Sequence, residues 1–164
     1  MSDAPPTLAA RTGTNGWTID HVAIVVADLE ATVAFYTHTM GFAELYREIV
    51  ADQGIEAVGI ATGDSVIELL RPLDETSPIA RFRGDAATKM HHIAYRVADI
   101  EMEMARLRAA GVRLIDETPR RGAHGNTIAF LHPKSTGGVL TELCQPPAPG
   151  ARRSEFRTCD PTGA

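Results

Sequence analysis

Cysteine is scarce in this chain: Cys144 and Cys159 are the only two in 164 residues. Cys144 sits in a strand-like run and Cys159 in a Pro/Gly-rich stretch, a pattern that argues against a disulfide framework and for a reducing, cytoplasmic compartment. Long apolar runs are also missing. No stretch approaches the roughly 20 residues of a membrane span, and Met1 to Trp17 holds Pro, Thr, Gly and Asn without the apolar segment of a secretory signal. Positive charge is in deficit, with 16 Lys and Arg against 21 Asp and Glu, a net charge of −5 and a pI near 5.6. That balance excludes nucleic acid and anionic membrane as natural partners, because neutralising phosphates needs a basic surface. A phosphorylated small molecule needs only a local basic patch and stays open. With 44% hydrophobic and 23% charged residues, the chain reads as one domain or as two small fused modules sharing a core.

What is present is a duplication. T-I-D-H-V-A-I-V-V at 18–26, followed by A-D-L-E, returns as K-M-H-H-I-A-Y-R-V at 89–97, followed by A-D-I-E. The offset is 71 residues, setting His21 on His92, Ala23 on Ala94 and Asp28 on Asp99. A shorter echo, V-I-E-L-L at 66–70 and L-T-E-L-C at 140–144, sets Glu68 on Glu142 at an offset of 74. Each half thus contributes one histidine and one glutamate within strand-like apolar sequence.

Turn and cap signals divide each half in the same order. Ile19 to Val26 reads as a buried strand. Asp28 caps a helix whose face carries Leu29, Val33, Tyr36 and Met40, with Gly41 ending it. Strands are predicted over 42–50, 55–61 and 65–70, the last stopped by Pro72, and Ser77-Pro78 opens a short helix. In the second half, a strand over 90–97 precedes a helix capped by Asp99, carrying Ile100, Met104 and Leu107 and ended by Gly111. Strands over 112–115, 126–132 and 139–145 complete it. Each half reads β-α-β-β-β, with modules at about 18–72 and 89–145 inside one domain, 18–145. Residues 1–17 read as a flexible leader and 146–164 as a flexible tail.

Strand alternation gives the His/Glu set its meaning. His21 shares a face with Ala23, and His92 with Ala94, so small neighbours leave room beside each imidazole. Glu68 and Glu142 lie between apolar residues in mid-strand, where an unpaired carboxylate costs several kcal/mol. Taken singly, each of the four reads first as a satisfied core histidine or a solvent-facing glutamate. Duplicated in pairs, two carboxylates and two neutral imidazoles balance a divalent cation. Mixed N/O ligands suit octahedral Co, Mn, Ni or Fe better than tetrahedral Zn. By alternation His91 faces away from His92 and reads as structural or as support for a ligand. His124 and His132 read as polar loop residues, and Asp20 and His38 have no assigned role.

These stretches, with D-Q-G at 52–54, I-E-L-L-R-P-L at 67–73, S-P-I-A-R-F at 77–82, D-E-T-P-R-R-G at 116–122 and F-L-H-P-K-S-T-G-G-V-L-T-E-L at 130–143, resemble the vicinal oxygen chelate superfamily, and within it the methylmalonyl-CoA epimerases. The resemblance covers about 19–145. It implies an α+β fold in which two tandem β-α-β-β-β modules form a cupped, mostly antiparallel sheet around one metal site, in a homodimer. It implies His21, Glu68, His92 and Glu142 as metal ligands, with cobalt the first choice of ion, and an acyl-CoA substrate whose C2 proton is moved between faces. The family carries Gln in some members at the position of Glu68.

The implied chemistry builds an enolate beside an existing carboxylate, which a cation on the thioester and carboxylate oxygens stabilises. One base then acts on each face. Glu142 is the family's candidate on one side. On the other, some relatives carry a glutamate where this chain has Ala57. Glu56, Glu48, Glu68 acting from the metal, or water held there are the alternatives; Glu56 is the neighbouring carboxylate, although alternation turns it the other way unless a bulge intervenes. Arg120, Arg121 and Lys134 are the loop cations expected to meet the CoA phosphates or the substrate carboxylate, with plain surface solvation as the competing reading. A glyoxalase-I-like lyase, an extradiol dioxygenase and a metal-free drug-binding protein of the bleomycin-resistance type share this architecture. Glu68 speaks against the dioxygenase, the match at 130–143 against the lyase, and four intact ligand positions against the binding protein.

Overall fold

A computed structural model of the chain describes residues 16–148. The expected leader, apart from Gly16 and Trp17, and the expected tail beyond Ala148, including Cys159, lie outside the described residues. Trp17 packs against the core of the second half, its ring 6.0 Å from that of Tyr95 and within 5.6 Å of the Arg106 guanidinium.

Eight strands form one sheet in the order β2-β3-β4-β1-β5-β8-β7-β6. In chain order these are β1 (Thr18–Val26), β2 (Glu44–Val50), β3 (Ile55–Thr62), β4 (Ser65–Pro72), β5 (Thr88–Arg96), β6 (Arg120–Arg121), β7 (Thr127–Leu131) and β8 (Thr141–Gln145). β1 and β5 run antiparallel at the centre, and each is flanked by a parallel neighbour, β4 and β8 respectively; the other four pairings are antiparallel. The duplication in sequence is therefore a duplication about the β1–β5 seam.

Both module helices begin as their sequences predict. Asp28 accepts a hydrogen bond from the Ala31 amide and Asp99 from the Met102 amide, each at 2.9 Å, opening α1 (Leu29–Ala34) and α3 (Ile100–Ala109). Such caps contribute about 1 kcal/mol each. After α1 the helix widens into a π turn over Phe35–Thr39, with the Met40 amide reaching back to the Phe35 carbonyl. The wider turn rotates the following residues, so Met40, expected on the buried face, stands half exposed. α2 (Pro78–Arg83) starts at Ser77, whose hydroxyl accepts from the Ala80 amide.

Two strand expectations need correction. Pro72 closes β4 as its final residue instead of lying beyond it. Val112 to Ile115 forms no strand: one bridge, Leu114 to Leu131, is all that remains. The Asp116 carboxylate accepts the Phe130 amide at 2.8 Å and turns the chain away, and the pairing resumes only at Arg120–Arg121, after Pro119. The cores sit under the two halves. Leu29, Val33, Val58, Ile60 and Leu69 pack below one, and Ile100, Met104, Leu131 and Leu143 below the other. Each large aliphatic side chain so buried stabilises the fold by about 1.5–3 kcal/mol.

Candidate active site

The register of the central strands assembles the site. His21 of β1 lies opposite Ala94 of β5, and Ala23 lies opposite His92, so each imidazole has an alanine across from it. On the parallel sides Ala23 pairs with Glu68 and Ala94 with Glu142. The four polar side chains consequently point into one space. His21 Nε2 lies 3.1 Å from His92 Nε2, 3.6 Å from Glu68 Oε2 and 3.6 Å from Glu142 Oε1, and His92 Nε2 lies 3.4 Å from Glu142 Oε2. All four residues are buried.

Two β-bulges set the imidazoles. Asp20 is skipped in the pairing of β1 with β5, and His91 is skipped on the opposite strand. A bulge re-aims its side chain. The Asp20 carboxylate accepts from His21 Nδ1 at 2.9 Å and from the Arg96 guanidinium at 2.8 Å. His91 Nδ1 lies 2.7 Å from His92 Nδ1, one donating to the other, and the His91 ring lines the same pocket. Simple alternation therefore misplaces His91, which lines the site, and Asp20, which has no role in the sequence reading, orients a histidine within it.

Electrostatics show what the cluster lacks. Burial pulls the His21 imidazole down, but Glu68, Asp20 and Glu142 overcome it and raise the pKa to about 9. Burial pushes Glu142 up to about 8, against the opposing pull of His21. His92 is driven well below its ordinary value by burial and by the charge of His21. Glu142 Oε1 is buried with no hydrogen-bond partner among the described residues. An orphaned carboxylate oxygen and two facing Nε2 atoms describe a site short of positive charge. Adjacent corners of an octahedron with bonds of about 2.1 Å lie about 3.0 Å apart, close to the spacings found here. His21, His92 and Glu142 alone bring three ligand atoms within 4.8 Å of one another, and Glu68 stands beside them. The residues fit a divalent cation. Asp20, His21 and Cys144 form a second tight group behind His21. There Arg96 already balances Asp20, and burial pushes the Cys144 thiol strongly up, so it stays protonated.

The site opens into a cavity of about 460 Å³. Ile55, Leu70, Ile79, Ile128 and Phe130 give it apolar walls, and Arg120 is the one arginine lining it among the described residues. The Arg120 guanidinium lies 5.4 Å from the Phe130 ring and donates to Asp116 at 3.2 Å. Arg121 and Lys134 are exposed and do not line the cavity.

Glu56 is not at the cavity. Its carboxylate is bound by Arg71 and, at 3.1 Å, by Arg47, and both guanidinia hold it below the usual carboxylate range despite the opposing effect of burial. Glu48 shares the inner face with Ala57, its cross-strand partner, but accepts the His124 amide at 2.6 Å. Sequence reasoning passed over Tyr46, whose hydroxyl donates to Glu68 Oε1 at 2.9 Å, and read as a plain polar loop residue His124, whose ring stacks on Tyr46 at 4.5 Å. One signal for the bulged residues was available: the repeat sets polar Asp20 on polar His91, directly before each histidine.

Comparison with known proteins agrees with this geometry. The family model described as the glyoxalase/bleomycin resistance protein/dioxygenase superfamily matches residues 20–130. An ethylmalonyl-CoA/methylmalonyl-CoA epimerase from Cereibacter sphaeroides is 43% identical over 129 residues, covering 77% of this chain and 96% of that protein. The crystal structure of methylmalonyl-CoA epimerase from Mycobacterium tuberculosis superposes with a TM-score of 0.75 at 42% identity, covering 79% of this chain and 87% of that one. A methylmalonyl-CoA epimerase in complex with methylmalonyl-CoA and NH4+ superposes with a TM-score of 0.73 at 40% identity, covering 79% and 94%. The paired modules, the curled eight-stranded sheet and these matches together show that the chain belongs to the glyoxalase/bleomycin resistance protein/dioxygenase superfamily.

Proposed function

We propose that this protein is a metal-dependent epimerase that interconverts the 2R and 2S forms of methylmalonyl-CoA by moving the proton at C2. The observation that carries the reading is the convergence of His21, Glu68, His92 and Glu142 at the head of an apolar cavity, with Glu142 Oε1 unpartnered. A divalent cation held by those four side chains would supply Lewis acidity to the thioester and carboxylate oxygens and stabilise the enolate as it develops. Arg120 is suited to bind the substrate carboxylate, and the aliphatic walls keep bulk water from the acyl group. Glu142 removes and returns the C2 proton on one face. On the opposite face Glu56 and Glu48 are both held elsewhere, so a water linked to the cation would move that proton.

In this reading cobalt is the first choice of ion, and Arg121 and Lys134 meet the CoA phosphates outside the cavity. The working form is a cytoplasmic homodimer. The buried free thiol of Cys144 fits a reducing compartment. Leu45 and Ile49, 54% and 64% exposed on edge strand β2, supply apolar surface for a second copy to cover. No helix among the described residues is long and apolar enough to cross a membrane.

Incubation with one epimer of methylmalonyl-CoA in D2O, with EDTA or with added Co(II), tests the proposal. Metal-dependent uptake of deuterium at C2 together with formation of the other epimer is expected. Metal-independent exchange would remove the cation from the reaction. No exchange with any metal would direct attention to lactoylglutathione formation.

A further inference from the structure

The two glutamates of the pseudo-symmetric site are held differently. Glu142 Oε1 has no hydrogen-bond partner among the described residues, whereas Glu68 Oε1 accepts the Tyr46 hydroxyl. We propose that Tyr46 is a positioning residue that locks Glu68 as a stationary ligand, with Oε2 turned to the metal centre, and that Gly59 and His124 hold Tyr46 in place. The inference rests on the reading that the four buried residues bind a cation.

Register explains how the tyrosine gets there. Tyr46 of β2 pairs with Gly59 of β3, and Gly59 pairs with Glu68 of β4, so the phenol must cross the middle strand to reach the carboxylate. Neighbouring strands are about 4.8 Å apart, and a tyrosine spans two of them only by lying flat on the sheet. Gly59 permits this, because a Cβ there would stand 2.2 Å from Tyr46 Cε1. The pairing skips Leu45, and this bulge immediately precedes the tyrosine. The other face of the ring is covered by His124, 4.5 Å away and inclined by 19°. His124 adopts φ 57°, the only left-handed non-glycine among the described residues, and its amide donates to Glu48 at 2.6 Å. A costly backbone conformation retained where His124 packs on Tyr46 marks a local constraint. With Oε1 occupied by the phenol, Oε2 faces His21 Nε2 at 3.6 Å. Glu142, without such a tie, keeps the freedom a proton carrier needs.

The test uses the full-length protein stripped of metal and titrated with Co(II), read by calorimetry and by the visible d–d spectrum. Partners of metal-bound carboxylates typically contribute 10–100-fold to affinity, so Tyr46→Phe is expected to weaken Co(II) binding about tenfold or more and to shift the d–d bands. Gly59→Ala should do the same by displacing the ring. Tyr46→Phe added to Glu68→Ala should cost nothing further. Circular dichroism and thermal melting establish folding, and if Gly59→Ala does not fold, Tyr46→Phe, which keeps the ring, decides alone. If Glu68→Ala weakens Co(II) binding but Tyr46→Phe leaves affinity and spectrum unchanged, the positioning role is wrong and the cation site stands. If Glu68→Ala itself has no effect on Co(II), Glu68 is not a ligand and both readings of it fall.

Discussion

Asp20 and His91 hold the same place in the two halves of the fold. Each is the residue skipped in the pairing of β1 with β5, and each lies against Nδ1 of the histidine that follows it. The partners differ in kind: His21 is oriented by a carboxylate, His92 by a neutral imidazole that burial holds at a pKa of about 4. A carboxylate on Nδ1 makes Nε2 the more basic donor. The two histidines are thus unequal despite the symmetry of the backbone.

Asp20→Asn should expose that inequality. Without the anionic partner, the His21 pKa in the metal-free protein should fall from about 9 toward its ordinary 6.5. Co(II) affinity should drop about tenfold. NMR titration of the imidazole resonances checks the first and calorimetry the second; an unmoved His21 titration would mean that Asp20 acts only on Arg96.

Metal binding should be strongly pH-dependent. His21 and Glu142 both have pKa values raised in the folded, metal-free state, to about 9 and about 8. Such groups hold more protons folded than unfolded, so their contribution to stability is present at low pH and is lost as pH rises through those values. A cation must displace the same protons, so its affinity should climb between pH 6 and 9. The melting temperature of the metal-free protein should fall over that range while the increment given by Co(II) grows. A Co(II) increment independent of pH would contradict the protonation states assigned here.

Glu56→Gln should leave deuterium exchange at C2 intact. Its cost should appear instead in stability, as a loss of about 1 kcal/mol from the partly exposed contacts with Arg71 and Arg47. Denaturant midpoints and exchange rates measured on one preparation separate the two. Exchange lowered tenfold with stability unchanged would return Glu56 to the mechanism.

Glu142→Gln should reduce exchange by about 10²–10⁴-fold, the usual contribution of a positioned acid or base. His21, His92 and Glu68 would still retain Co(II), with weakened affinity, so activity should be lost by more than metal occupancy. A loss of activity that merely follows occupancy would make Glu142 a ligand and nothing more.

Much of this site was legible before any coordinates. A repeat of constant offset, alternation within strands and the cost of unpaired mid-strand carboxylates single out His21, Glu68, His92 and Glu142, and the resemblance at 130–143 supplies the chemistry. The helix caps at Asp28 and Asp99 follow from the same local rules and appear as expected. These features depend on residue type and spacing along one strand or helix, which the linear sequence carries whole.

What the tertiary structure alone decided lies across strands. Period-two alternation holds only while pairing stays in register, and three skipped residues, Asp20, Leu45 and His91, break it where the site is built. The same dependence explains Glu56, whose role turns on arginines 9 and 15 residues away that only sheet pairing brings near. It explains Tyr46 as well, which reaches Glu68 because a glycine on an intervening strand lacks a side chain. Sequence by itself determined the modules and the four converging side chains. Which neighbours orient each of them was decided by bulges and cross-strand packing, because those contacts arise from pairing geometry that no single segment encodes.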